Sequence, residues 1–329
     1  MNTTKHTNKE NILSYWVFAG LCILLISLKL TTILLTIFFS LLALQKLTFK
    51  NYKKTSIILF LLLVSAIFLG FAYFINQAVI VIPEIAENAI PDIAKLAQDY
   101  KIKIPFSDLE GFKETIVKLF KTELSFLTKF VRLASKEFIY LIIGIFIAIG
   151  MFITPYIESE AEKNTSSQNL YSAICYYLSS RCKNLFFCFK QVMGAQIVIS
   201  LVNTFCTGVF VSIEHLPYFA LLIVFTFICG MLPIIGNIIS NSIIFFVAIT
   251  ISLKLAIHSL VFLIFLHKLE YFLNSKIIGG TIKNPMWLIL FALVIGERLI
   301  GLPGLIFAPV FLRYIKKETQ MITFNLNNN

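Results

Sequence analysis

Apolar residues in this chain occur in long runs that short polar and basic segments separate. We predict six of these runs to be membrane-spanning helices, at about residues 12–28, 30–44, 56–82, 138–156, 191–213 and 255–273. Most approach the roughly 20 residues that an α-helix needs to cross a bilayer. The composition agrees, because 58% of the 329 residues are hydrophobic, against about 45–50% in soluble domains. The pattern predicts an all-α, polytopic helical membrane protein with about 6–8 transmembrane helices.

The last third of the chain contains apolar segments that glycine and proline interrupt. The two breaks are Gly230–Gly236 and Gly296–Gly304, each between a pair of short apolar arms. A break frees backbone groups, which a membrane protein tolerates only where protein or water surrounds them. Paired interrupted segments indicate the binding site of a transporter. Each pair is either a re-entrant hairpin or two spanning helices joined by a tight turn.

A long apolar segment precedes each broken pair, the second of them at about 255–273. If both broken pairs are re-entrant, residues 191–253 and 255–315 enter the membrane from opposite sides. Such units would be inverted-topology repeats whose hairpin tips meet near the middle of the bilayer.

Polar segments divide the chain into six predicted regions. Residues 83–136 have helical apolar periodicity and are expected to form amphipathic helices on the outer membrane face. The polar stretch before residue 170 is typical of a linker, and residues 170–190 predict an amphipathic interfacial helix. The regions are scaffold helices 1–82, the extracytoplasmic region 83–136, a span at 137–157, the linker and amphipathic helix 158–190, a transport unit 191–317 and a tail 318–329.

The distribution of charge predicts orientation. The net charge of +11 comes from basic residues clustered between apolar runs, such as Lys46, Lys50, Lys53 and Lys54. This distribution follows the positive-inside rule and places both termini in the cytoplasm, with the chain in the inner or plasma membrane. The same distribution makes nucleic acid an unsuitable partner.

Sequence motifs for enzymatic or metal chemistry are absent from the chain. The six cysteines form no Cys-x-x-Cys or Cys/His cluster, so no metal site and no cofactor are predicted. There is no P-loop, Gly-x-Ser-x-Gly or His-Glu-x-x-His motif, and we expect no enzyme activity. Without an ATP-binding domain, uphill transport would use an ion gradient or a partner.

Ionisable residues inside apolar segments are the candidate binding residues, because they are costly in a membrane and usually functional. His267, Glu270 and Asn274 fall on one helix face at spacings of three and four residues. Glu270 could bind a cation or proton, or it could instead pair with His267 or Lys268 at the interface. Further candidates lie at the two breaks: Glu297 and Arg298 as a charged pair, and Gly230, Pro233, Gly236, Asn237, Gly296, Gly301, Pro303 and Gly304 as residues that shape the hairpin tips.

Several motifs resemble those of the autoinducer-2 exporter family, also called PerM-like permeases. Leu232-Pro-Ile-Ile-Gly236 is similar to its Ile-Pro-x-Ile-Gly-Pro element, and Glu270-x-x-x-Asn274 is similar to its Glu-x-x-x-Asn stretch. The resemblance covers about residues 190–317, through Gly194-x-Gln196, Lys276-Ile-Ile-Gly279, Asn284-Pro285, Gly296-x-x-x-x-Gly301-Leu-Pro-Gly304 and Ala308-Pro309. The chain departs from the family pattern at Ser275, Asn237 and Glu297-Arg298.

The resemblance implies a secondary exporter of a small polar organic solute related to quorum-sensing signals, coupled to protons or another ion. It also implies a homo-oligomer, such as a pentamer, in which a mobile transport unit moves against a scaffold. One alternative is a Na⁺/H⁺ antiporter of the same family. A second is a non-transporting membrane scaffold in envelope assembly, with the region 83–136 binding its partner.

Overall fold

The computed structural model describes residues 9–48, 52–99, 124–154, 170–233, 235–277 and 285–320. This part of the chain contains ten α-helices and no strand. The helices are α1 Lys9–Ser27, α2 Thr31–Lys46, α3 Lys53–Asp99, α4 Leu124–Ile153, α5 Leu170–Ile213, α6 Phe219–Gly230, α7 Ile235–Ile249, α8 Leu253–Ile277, α9 Met286–Ile300 and α10 Leu302–Gln320. The predicted all-α fold class is confirmed.

Three helical segments of the described chain are long and apolar enough to cross a membrane, namely Lys53–Gln77, Lys136–Ile153 and Leu170–Ile213. Large apolar side chains on them face outward, including Leu62, Leu69 and Phe146 at 62–72% exposure. Such surfaces suit contact with lipid, and they confirm a polytopic membrane protein. The arms of the two broken pairs are shorter, and α8 carries Lys254, Lys268 and Glu270. The count of 6–8 crossings therefore stays a prediction.

The first two predicted spans form two helices that bend by 111° at residues 28–30. Lys29 has a positive φ of 56°. Its N–H donates to the carbonyl of Ile26 at 3.0 Å, and the N–H of Leu30 reaches back to Leu25 at 2.9 Å. This pattern of a left-handed residue with a 6→1 bond ends a helix. The pair can count as one broken span, a re-entrant loop or two crossings.

Two helices continue through positions where the sequence predicts a boundary. Helix α3 passes residue 82 and ends at Asp99 after 47 residues. Helix α5 joins the predicted amphipathic helix and the fifth span into 44 residues, or roughly 66 Å at 1.5 Å per residue. Proline is the residue that disrupts the interior of an α-helix. Residues 170–213 contain no proline, so nothing in this backbone requires α5 to end at residue 190. The segments predicted as separate are thus single helices, while residues 100–123 of the predicted region 83–136 lie outside the described residues.

The chain forms two compact units that differ from the predicted regions. One consists of residues 1–62, 136–194 and 282–329, and the other of residues 63–135 and 195–281. The first broken pair, α6 and α7, belongs to the second unit, whereas the second pair, α9 and α10, belongs to the first. The predicted transport unit 191–317 contains parts of both, so its boundaries stay a prediction.

A buried polar network joins α1, α5 and α10 in the first unit. Arg181 is 1% exposed, and its Nη1 lies 3.3 Å from Oε2 of Glu318, which is 4% exposed. The other guanidinium nitrogens donate to Ser14 Oγ and to Asn11 Oδ1 and its carbonyl at 2.6–3.1 Å. The same carboxylate accepts from Tyr15 Oη at 2.9 Å and from Asn184 Nδ2 at 2.7 Å. Every charge in this network therefore has hydrogen-bonding partners, as a buried ion pair requires.

Aromatic side chains fill the apolar part of the first unit. Phe38 contacts Phe189 and Phe307 with ring centroids 5.1 and 6.1 Å apart, in edge-to-face geometry. Helices α9 and α10 cross backbone to backbone at Gly296 and Gly304. A Cβ on either glycine would overlap the carbonyl of the other.

The second unit has its own apolar core. It includes Phe74, Val211, Leu222, Ile244 and Val247, all at most 8% exposed. Phe210 stacks on Phe262 with centroids 4.2 Å apart. At the same end of α5, Glu214 Oε1 lies 3.0 Å from His258 Nδ1. These contacts hold α5, α6, α7 and α8 together at the ends of α6 and α7 that lie away from the first break.

We expect Gly304→Ala to destabilise the first unit by about 1–3 kcal/mol, the usual range for overpacking. The added methyl group would overlap the Gly296 carbonyl and push α9 away from α10. The melting temperature of the purified protein in mild detergent measures the effect. Gly20→Ala is the control, because nothing lies within 4 Å of its added Cβ. Equal melting temperatures for the two variants would contradict the close crossing.

Breaking the buried ion pair should be costly. We expect Glu318→Ala to destabilise the protein by about 3–5 kcal/mol, because it leaves the Arg181 guanidinium buried and unpaired. The double variant Arg181→Met/Glu318→Leu should recover most of this loss, since it removes both charges. Thermal unfolding in detergent compares them, with the exposed neighbour Thr319→Ala as the control. A double variant less stable than Glu318→Ala would contradict the pairing.

Candidate transport site

The first break is a tight, backbone-bonded turn. Helix α6 ends at Gly230 and α7 begins at Ile235. The N–H of Leu232 donates to the Cys229 carbonyl at 2.8 Å, and the N–H of Gly236 donates to the Leu232 carbonyl at 3.2 Å. A Cβ on Gly236 would overlap the Cys229 carbonyl. Glycine is therefore required there by close backbone approach.

Side chains of α5 satisfy the carbonyl groups at the end of α6. Gln196 Nε2 donates to the Gly230 carbonyl at 2.7 Å, and Ser200 Oγ donates to the Phe227 carbonyl at 2.7 Å. Both donors are at most 4% exposed. A helix end leaves its last carbonyl groups without intrahelical partners. The two side chains therefore supply hydrogen-bond donors that the break removes from α6. Gly230 allows the approach, because its Cβ would lie 2.6 Å from Ser200 Oγ.

The structure brings two predicted site residues together beside the break. Glu270 of α8 is 5% exposed and Asn237 of α7 is 7% exposed. The Asn237 side chain lies beside the Glu270 carboxyl group. Asn237 also lies in the first turn of α7, where the positive end of the helix dipole favours a negative charge. The site can therefore hold a carboxylate, or a carboxylate with a bound cation, inside the protein.

The other two residues predicted on the α8 face have different positions. His267 is exposed in the single chain but lies near enough to act electrostatically on Glu270. The side chain of Asn274 lies outside the described residues. Among the described contacts, no ion pair joins Glu270 to Lys268, the alternative partner, and the Lys268 side chain is exposed. The roles of these residues stay predictions.

The second break is shorter than the sequence suggests. Helix α9 continues to Ile300 and α10 starts at Leu302, so Gly301 alone separates them. Gly301 has φ 66° and ψ −145°, a conformation that favours glycine. Its N–H donates to the Glu297 carbonyl at 2.7 Å, and the Gly304 N–H donates to the Gly301 carbonyl at 2.8 Å. Pro303 lies in the first turn of α10, where proline is tolerated.

The charged pair at the second break is exposed in the single chain. The Glu297 and Arg298 side chains are 55% and 85% exposed, with Arg298 Nε 4.0 Å from Glu297 Oε2. An exposed pair at this separation contributes little. The pair therefore lies on the surface of the single chain, and its role at a re-entrant tip stays a prediction.

Sequence reasoning missed the polar side chains of α5 as a group. Gln196 was noted only for its motif, and Ser200, Asn203 and Thr207 were not singled out. Their spacing of four, three and four residues within an apolar segment was the available signal.

Comparison with known proteins agrees with this architecture. Residues 12–323 match the family model described as AI-2E family transporter. The chain is 28% identical over 153 residues to a Bacillus subtilis (strain 168) protein named "Putative transport protein YdbI". This alignment covers 46% of the chain and 43% of that relative.

Removing the Gln196 amide should weaken the first break. We expect Gln196→Met to destabilise the protein by about 1–3 kcal/mol, because the buried Gly230 carbonyl loses its donor. Gln191→Met is the matched control on the same helix, since Gln191 Oε1 is buried without a partner. Melting temperatures in detergent compare the two. A larger loss at Gln191 than at Gln196 would contradict the capping role.

Proposed function

The chain belongs to the AI-2E transporter family, and we propose that it is a secondary transporter in which Glu270 carries the coupling ion. It is an integral membrane protein that acts on a small solute. The proposal adds to this a binding site, a coupling ion and a direction of transport. The observation that carries it is the buried pair of Glu270 and Asn237 beside a broken helix.

A buried carboxyl group inside a membrane helix is expensive unless it has a function. Within the described residues, the Glu270 carboxyl has an amide partner and no lysine or arginine partner. Such a group is neutral when it binds a proton, or it keeps its charge when it binds a cation. Either event changes the charge inside the second unit, and this is the requirement for coupling solute movement to an ion gradient.

The position of the site supports transport rather than a purely structural role. Transporters of known type place their ion sites where helices are interrupted, because free helix ends supply partial charges. Here the first turn of α7 lies against Glu270, and the end of α6 lies across the same break. Among the described residues, Glu270 has the exposed His267 as an electrostatic neighbour and no lysine or arginine partner. A fixed ion pair with lysine or arginine therefore does not account for its burial.

We propose that the cargo is a small polar organic solute related to quorum-sensing signals and that it is exported. Family membership supports this choice of solute class. We also propose that the chain lies in the inner or plasma membrane with both termini in the cytoplasm. It would assemble there as a homo-oligomer, such as a pentamer. The basic residues between apolar segments support the orientation.

Sodium–proton exchange is the second candidate, and the same Glu270 site favours it. An isolated carboxylate with an amide neighbour offers only oxygen ligands and a proton-binding group. The two candidates differ in what moves against the ion, which is either the solute or a second cation. Proteoliposomes containing a pH-sensitive dye separate them, because the antiporter responds to added Na⁺ without any organic solute.

Glu270→Gln should abolish ion-coupled flux in proteoliposomes while leaving the protein folded. Glutamine keeps a polar side chain of the same size beside Asn237. Its amide can neither bind a proton near neutral pH nor attract a cation as a carboxylate does. Flux of the furanosyl quorum-sensing signal under a proton gradient, and dye quenching with added Na⁺, measure the two candidate activities. Glu137→Gln is the matched control, because Glu137 is exposed and is not a candidate site residue, and we expect it to retain flux.

Full flux in the Glu270→Gln variant would remove Glu270 from the mechanism. If the unaltered protein moves neither the signal nor Na⁺ or protons, both transport candidates lose their support. The non-transporting scaffold then becomes the better hypothesis. Binding of a partner to the region 83–136 in intact membranes is its independent test.

A further inference from the structure

A buried polar stripe runs along α5 in the second unit. It consists of Gln196, Ser200, Asn203 and Thr207, which share one helix face and are at most 4% exposed. We define the α5–α6 seam as this stripe together with Thr204 of α5 and Thr226 of α6. Glu270 and its amide partner belong to the adjoining break and not to the seam.

Two contacts fix the register of α5 against α6 over the stretch that contains Thr204 and Thr226. Ser200 Oγ bonds to the Phe227 carbonyl at 2.7 Å. Further along, a Cβ on Gly208 would lie 3.2 Å from Ile223 Cδ1. The helices are therefore antiparallel, and Asn203, Thr204, Thr207 and Thr226 lie within this interval of about two turns of α5.

Four side chains in this interval have buried polar atoms without hydrogen-bond partners in the described part of the chain. These atoms are Nδ2 and Oδ1 of Asn203 and the hydroxyl oxygens of Thr204, Thr207 and Thr226. Asn203 and Thr226 are each 1% exposed, and Thr207 is fully buried. Gln196 and Ser200, by contrast, are bonded to the end of α6.

Threonines elsewhere in this protein show the usual solution for a helical hydroxyl group. Thr36, Thr154 and Thr319 each donate to the carbonyl four residues earlier, at 2.9–3.0 Å. The three seam threonines lack this bond, although their helices offer the same carbonyls. Their hydroxyl groups are thus available to a ligand between the helices.

Unpaired buried polar atoms normally number only a few per domain, and each needs an explanation such as an ordered water molecule. In a membrane protein, water between the helices is the remaining source of hydrogen bonds. The seam offers amide and hydroxyl groups from two helices, and a buried water molecule needs about 2–4 such partners. No charged side chain belongs to the seam, so its chemistry suits a neutral hydrogen-bonding molecule.

We propose that the α5–α6 seam is hydrated and forms a water-filled route through the second unit to Glu270. One end lies beside a surface groove of about 490 Å³, which Thr204, Gly208 and Ser212 line together with apolar side chains such as Phe205 and Phe219. The other end reaches Ser200 and Gln196 at the break. The inference deepens the proposed function, because it rests on Glu270 as the coupling group and supplies the route by which an ion reaches it.

Thiol labelling tests the hydration directly and does not depend on transport activity. Thr226→Cys in a full chain whose six native cysteines are replaced by alanine should react with a small, membrane-impermeant methanethiosulfonate reagent. Leu201→Cys is the control on α5, because its side chain is 53% exposed on an apolar surface suited to lipid. We expect Thr226→Cys to react severalfold faster, because the reagent reaches thiolates only where water is present. Equal or slower reaction at Thr226→Cys overturns the proposal.

Thr226→Val replaces the hydroxyl group with a methyl group of similar size and gives a second readout. A hydrated seam predicts a severalfold loss of Glu270-dependent flux with an unchanged melting temperature. A dry packing defect predicts instead a higher melting temperature and unchanged flux, which overturns the proposal. If labelling succeeds but Glu270→Gln keeps full flux, the hydrated seam stands and the proposed coupling role fails.

Discussion

The need to satisfy backbone groups at helix breaks inside a membrane governs this structure. A break frees carbonyl and N–H groups, and the hydrocarbon core of a bilayer offers them no partner. At the first break, Gln196 and Ser200 of α5 supply donors to the end of α6. At the second break, Gly301 closes the backbone on itself through bonds to Glu297 and Gly304. The two breaks thus meet one constraint in different ways.

This difference has a mechanical consequence for the two hairpins. The second break is self-contained, and α9 and α10 cross so closely that neither glycine leaves space for a side chain. The first break depends on another helix, so a shift of α5 along α6 would remove donors from the Phe227 and Gly230 carbonyls. A broken helix whose carbonyl groups accept hydrogen bonds from a neighbouring helix can move without losing those bonds only if the neighbour moves with it. The first hairpin is therefore the better candidate for a moving part.

The sequence was sufficient for the features that depend on local chemistry. Apolar runs predicted an all-helical membrane protein, and glycine with proline marked both breaks. Glu270 was recognisable because a carboxylate is rare in an apolar segment. Arg181 shows where such reasoning ends, because its partners Asn11, Ser14 and Glu318 are far away in the chain and only the fold brings them together. The continuity of α5 through residue 190 was missed for a related reason, since a change from polar to apolar composition does not itself end a helix.

The two units also treat buried charged groups differently, and this contrast supports the proposal of a functional site in the second unit. In the first unit, the Arg181 guanidinium and the Glu318 carboxylate are both fully provided with partners. Such a network stabilises one arrangement, because any movement leaves a charge unpaired. In the second unit, Asn203 and three threonines of the α5–α6 seam have unpaired atoms, and Glu270 has an amide neighbour but no lysine or arginine partner among the described residues. Groups with unmet hydrogen-bonding capacity can exchange one ligand for another at small cost, which is a property that a transport pathway requires and a scaffold does not.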